Sequence, residues 1–156
     1  MNLASALAEL GDRLGIGVIK LDQNGGCLLA FDDKLVVDIE QATDTPGFHL
    51  TATVGPVPGH EREAVFAELL EANLQGRGTG SACLALDADL DEIVLSRSIY
   101  RADIDVDYLE QKLDAFLTLL EYWQQRSEAG EIGRLRGTVA ADTTPIPPLG
   151  RGIIRG

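Results

Sequence analysis

Residues 27–54 open with Cys27-Leu28-Leu29-Ala30-Phe31-Asp32-Asp33-Lys34-Leu35-Val36-Val37-Asp38-Ile39-Glu40 and close with Phe48-His49-Leu50-Thr51-Ala52-Thr53-Val54. Leu35, Val37 and Ile39 alternate with Val36, Asp38 and Glu40. Phe48, Leu50, Ala52 and Val54 alternate with His49, Thr51 and Thr53. Period-two alternation is what a strand shows when one of its faces lies on a core. Asn24-Gly25-Gly26 ahead of the stretch is a strong turn signal. The reading is three strands, 27–32, 34–41 and 48–54, whose short links favour an antiparallel meander.

Working outward, the pattern changes to helical on both sides. Leu3, Ala6, Leu7, Leu10 and Leu14 predict an amphipathic helix over 2–14 that stops near Gly15. Val18 to Leu21 reads as a short extended piece. Gly55-Pro56-Val57-Pro58-Gly59 breaks the chain. Residues 60–74 then predict a second helix, with Val65, Phe66, Leu69 and Leu70 on one side. Two more strands, 81–87 and 92–99, are joined by an acidic turn at Asp87 to Asp91. Asp105 is a good N-cap for a last helix, and Asp107 adds charge favoured in a first turn. Val106, Leu109, Leu113, Phe116, Leu120 and Trp123 form its main stripe. A second stripe, Tyr108, Ala115, Leu119 and Tyr122, is to be covered by a partner or by the first helix. The fold class is α+β: an antiparallel five-stranded sheet with three helices, in the order α-β-β-β-α-β-β-α.

The chain has 156 residues, 45% of them apolar, with 25 acids against 13 bases and a net charge of −12. One domain of this length can build a core without metal or disulfide staples. So acidic a chain has no general affinity for nucleic-acid backbones or anionic membranes. The N-terminus lacks a basic region and is interrupted by Glu9 and Asp12, so no signal peptide is expected, and the expected location is the cytoplasm. After Arg126 the apolar periodicity ends and Gly, Pro and Arg accumulate. The organisation read from this is a folded domain over 1–126 and a flexible C-terminal tail over 127–156. The acidity belongs to the domain, which holds nine bases against 22 acids.

Catalytic and metal chemistry find no foothold. Asp87, Asp89 and Asp91 resemble the opening of a calcium loop, but Glu92 stands where Gly is needed and Ser98 where the closing Glu is needed. Gly76-Arg77-Gly78-Thr79-Gly80-Ser81 lacks the Lys of a phosphate loop and precedes a strand, so a flexible turn is the better reading. His49 and His60 share no metal-ligand spacing with each other or with the two cysteines. Cys27 and Cys83, in strand-like runs, read as reduced core residues. No nucleophile elbow surrounds a serine. No metal, cofactor or enzymatic activity is expected; an enzyme would have to use His49 or His60 in an unrecognised site.

The sequence resembles the class I chaperones of bacterial type III secretion, the Tir-chaperone family. The likeness rests on residues 27–37, Thr53-Val54-Gly55-Pro56-Val57-Pro58, Leu69-Leu70-Glu71-Ala72-Asn73, Ala82-Cys83-Leu84-Ala85-Leu86-Asp87, Ile93-Val94-Leu95-Ser96-Arg97 and the helix from Asp105 to Trp123, in that order. The resemblance covers about residues 2–126; the tail has no counterpart. It implies a homodimer that holds the N-terminal, non-globular segment of a secreted effector, keeping it soluble and competent for secretion, with no nucleotide. Apolar residues on the supposed polar face become the effector-binding candidates: Leu28, Ala30 and Val36, with Leu3 and Leu7 bordering the same groove. The alternative is that helices cover both sheet faces and all five are core. For the dimer interface the resemblance points to Val65, Phe66, Leu69, Leu84 and Leu86, with monomer core as the alternative. A second functional reading keeps the fold but makes the chain a regulatory protein that sequesters a secretion or transcription regulator.

Overall fold

The computed structural model describes residues 1–134. Its elements are α1 (Leu3–Leu14), β1 (Gly26–Phe31), β2 (Leu35–Gln41), β3 (Gly47–Pro56), α2 (Arg62–Asn73), a 3-10 turn (Leu74–Gly76), β4 (Cys83–Asp87), β5 (Glu92–Tyr100) and α3 (Val106–Glu128). The expected order of three helices and five strands is the observed one.

All strand pairs are antiparallel, and the sheet order is β1-β2-β3-β5-β4. The first three strands are the meander read from the period-two pattern. The chain then leaves the sheet through α2 and returns to lay β5 against β3, with β4 at the far edge. Phe31, Val37, Ile39, Phe48, Leu50, Ala52, Ile93 and Leu95 are buried on one sheet face. The alternate residues Leu28, Ala30, Val36, Glu40, Thr53 and Ser98 are exposed. The sheet therefore has one packed and one solvated face, as antiparallel sheets commonly do.

α3 lies across β3 and β2, α1 packs on α3, and α2 on β4. Asp105 accepts from the Tyr108 backbone N–H at 2.8 Å and sets the start of α3. Its main stripe, from Val106 to Trp123, is buried. The second stripe is covered only in part: Tyr108 and Leu119 pack against the core, while Ala115 and Tyr122 are exposed. On α1, Asn2 accepts from the Ser5 N–H and Gly15 closes the helix in the left-handed region. Gly11 is required there, because a Cβ would stand 2.0 Å from the Gly17 carbonyl oxygen of the returning chain.

Val18 to Leu21, the short extended piece, joins no ladder; Ile19 and Leu21 lean on the core and Val18 is exposed. Three expectations need correction. The Gly76–Ser81 turn is packed instead of loose. Thr79 is buried, Gly78 N–H donates to the Ala72 carbonyl at 2.8 Å, and the Trp123 indole N–H donates to the Gly78 carbonyl at 3.0 Å. Cys83 is exposed on edge strand β4, not core, because its partner in the alternation, Leu84, takes the inward position. The folded body also passes Arg126. α3 continues to Glu128, Ile132 is buried, and Gly133 N–H donates to Glu68 at 2.6 Å. The expected tail from residue 135 onward lies outside the described residues.

Candidate functional site

β1 and β2 form a hairpin whose turn holds Asp32 and Asp33 in the left-handed region, with Lys34 N–H donating to the Phe31 carbonyl. The register sets Ala30 directly opposite Val36, and Leu28 opposite Asp38. All three apolar side chains point to the open face: Leu28 is 70% and Val36 47% exposed, and Ala30 is exposed with them. β1 is an edge strand, so one side of its backbone has no ladder partner within the sheet. An unpaired backbone edge beside apolar side chains is the geometry that accepts an extended peptide as an added strand.

The rim of this patch is acidic. Asp38 and Glu40 follow Val36 on the same face, and Asp22 lies at the start of the hairpin. Burial, then Glu40 and Asp22, hold the Asp38 carboxyl above its ordinary range. Backbone N–H bonds from Gly26 and Asn24 hold the Asp22 carboxyl below it. Cys27, half-buried on the other face, has its thiol pushed up to about 11 by burial and then by Asp38 and Asp22, so it stays a protonated thiol at neutral pH. No group of three or more metal-ligating side chains occurs among the described residues. His49 Nδ1 lies 2.9 Å from the Ser98 hydroxyl on the open face, with Tyr100 edge-on at 6.4 Å.

Leu3 and Leu7 do not border this patch. Both are buried, with α1 packed on α3, and belong to the core. Their spacing marked the helix's buried stripe and nothing more.

A second apolar surface lies at the opposite end of the sheet. Of the five residues read as the dimer interface, Val65, Leu69 and Leu84 are buried in this chain's own core, Phe66 is half-buried and Leu86 is exposed. The exposed apolar residues there are Leu70 at 71%, Leu90 at 67%, Leu74 and Leu86. The signal that finds them is in the sequence: Phe66, Leu70 and Leu74 recur at i, i+4 and i+8, a second stripe beside Val65, Leu69 and Ala72. α2 covers β4 with one stripe and presents the other outward.

The sheet order and the open, apolar-edged face define a small α+β protein with a surface suited to an extended peptide. The chain belongs to the Tir chaperone protein (CesT) family, whose sequence profile it matches over residues 5–124. A Chlamydia pneumoniae protein is 26% identical over 123 residues, which is 78% of this chain and 92% of that one. Among solved structures, a chain of the ExsC–ExsE complex superposes with a TM-score of 0.68 at 26% identity, covering 80% of this chain and 96% of that one. The Yersinia pestis type III secretion chaperone SycH, solved with a stable fragment of YscM2, gives a TM-score of 0.60 at 21% identity, covering 77% and 98%. Family and fold are those of chaperones, not enzymes. No helix among the described residues is long and apolar enough to cross a membrane.

Proposed function

We propose that this chain is a bacterial cytoplasmic chaperone for type III secretion. It holds the N-terminal, non-globular segment of a secreted effector in extended form and works as a homodimer without a catalytic step. The observation that carries the binding role is the exposed patch of Leu28, Ala30 and Val36 beside the unpaired edge of β1, in a CesT-family fold. The bound segment adds backbone hydrogen bonds along β1 and places alternate apolar side chains on the patch. The acidic rim favours basic residues next to those apolar ones. The exposed Leu70, Leu74, Leu86 and Leu90, with the half-buried Phe66, support α2 and β4 as the self-association surface.

The test is affinity purification of the tagged chain at native level from its own organism, with mass spectrometry of what co-purifies. The expected result is one larger protein, held through its N-terminal region, at two chaperones per partner. A transcription-control protein in that place would move the role to regulation. A monomer that captures nothing would overturn the reading.

A further inference from the structure

Three bases gather where β5 leads into α3. Arg97 shares its strand parity with the buried Ile93, Leu95 and Ile99. Arg101 lies in the link, and Lys112 one turn beyond Tyr108. Arg101 and Lys112 meet at that ring, the guanidinium carbon 4.2 Å and the ammonium 4.8 Å from its centroid; Arg97 lies within electrostatic range of the same side chain.

In a chain with 25 acids and 13 bases, each of the three should find a carboxylate. Among the described residues none of the three closes an ion pair: the Asp103 carboxylate acts on Arg101 only through space, and the nearby acids make their direct bonds elsewhere. Asp103 holds the amino group of Met1. Asp105 caps α3. Asp107 and Glu110 take Arg13, at 2.6 and 3.4 Å. Arg101 Nε donates only to the backbone carbonyl of Asp103, at 2.6 Å. Arg97 is half-buried, and that burial pushes its guanidinium below the ordinary arginine range. A guanidinium drawn partly out of water without a counter-ion is costly, and a carboxylate brought to it would relieve that cost.

We infer that Arg97, Arg101 and Lys112 around Tyr108 form a second recognition point, which takes glutamate or aspartate side chains of the bound polypeptide. The inference rests on the proposed chaperone role for its occupant being a polypeptide. The site is separate from the apolar edge: β5 stands three strand positions from β1, about 14 Å, and Arg97 has the opposite facing from Leu28. The cations are spread over a strand, a link and a helix around one aromatic ring. With its aliphatic stems, that platform suits an extended segment. The overall charge of −12 does not forbid it, because at physiological salt charges beyond about 8 Å are largely screened and the local cluster decides.

The test is nitrogen-15 NMR titration of the full chain with an N-acetylated hexapeptide amide, Glu-Glu-Leu-Glu-Glu-Leu, against its glutamine counterpart. The glutamate peptide should shift the Tyr108 amide and the Arg97 and Arg101 Nε–H signals saturably, and the glutamine peptide should not. R97Q/K112Q should weaken binding at least about tenfold. The single variant K112Q, on the helix surface, should weaken it with an unchanged thermal melt. Absence of saturable shifts, or equal shifts in K112Q, would overturn the inference. So would an equal response to inorganic phosphate at the same concentration, which would make this a small-anion site. Effector capture that persists while the titration fails would remove this site and leave the chaperone role standing.

Discussion

The two edges of the sheet carry similar apolar exposure on different foundations. At the β1 edge, Leu28, Ala30 and Val36 stand on a two-stranded hairpin whose outer backbone lacks a ladder partner. At the β4 edge one strand residue, Leu84, has its backbone held by a side chain, and the turn and helices beside it are tied together. The Asn73 side chain donates to the Leu84 carbonyl and accepts from its N–H, both at 2.8 Å. Trp123 holds Gly78, and Arg126 pairs with Glu68, which also accepts from Gly133. Exposed Leu70 on α2 and Leu74 on the turn after it therefore offer side chains from elements whose own hydrogen bonds are made, a surface suited to a lasting contact with a second copy. The β1 edge offers side chains and backbone together, which suits an extended chain that must later be released.

The largest effect should come from breaking the β4-side clamp. The Arg126 and Glu68 side chains are only 10% and 15% exposed. R126A leaves the Glu68 carboxylate without its counter-ion, held only by the Gly133 N–H, and should cost about 3 kcal/mol, seen as a melting temperature lower by roughly 6–12 °C. A surface pair gives the scale: R62A, which removes the exposed pair with Asp91, should cost under about 1 kcal/mol. Equal losses in the two would mean that the β4 edge is not specially anchored.

At the β1 edge, L28D should leave the melt nearly unchanged and weaken effector binding by about 3 kcal/mol, more than roughly 100-fold, in calorimetric titration. At the β4 edge, L70E/L74E should convert a dimer to a monomer in light scattering while effector capture by the monomer persists. If L28D abolished the dimer and L70E/L74E abolished capture, the two edges would exchange roles.

The smallest effect concerns the rim. The Asp38 carboxyl is held above its ordinary value, so the folded state binds that proton more tightly than the unfolded chain does. The charged form therefore costs stability at neutral pH, and the cost fades as pH falls through the carboxylate range. D38N should raise the melting temperature by about 1 °C at pH 7, and the gain should vanish near about pH 3. A gain that persisted at the lower pH would point to packing, not charge.

Much of this was legible in residue spacing. The meander followed from Leu35/Val37/Ile39 and Phe48/Leu50/Ala52/Val54, and α3 from Asp105 and the stripe it starts. The open-face positions of Leu28, Ala30 and Val36 followed from the same parity. Spacing misled where a residue's face depends on what arrives from elsewhere. Leu3 and Leu7 show the limit: a helix stripe does not say whether its cover is a bound segment or another helix, and α3 supplies the cover. The resemblance points to Val65 and Leu69 as dimer interface, with monomer core as the alternative; α2 carries two apolar stripes, and only the placement of β4 puts these two inside. Arg126 looked like the last residue of the domain, since the run after it is polar and glycine-rich. A buried ion pair and one backbone N–H on Glu68 hold that run in place, and neither has a period.

By itself, then, the sequence determined the type and order of the elements and the two faces of each strand, because local steric preference and solvent partition act at fixed periods along the chain. The tertiary structure decided which apolar stripes are covered, which carboxylates are engaged and which cations are left without them. Those depend on distances between residues tens of positions apart, such as Glu68 and Arg126 or Arg13 and Asp107, and such distances exist only once the chain has closed on itself.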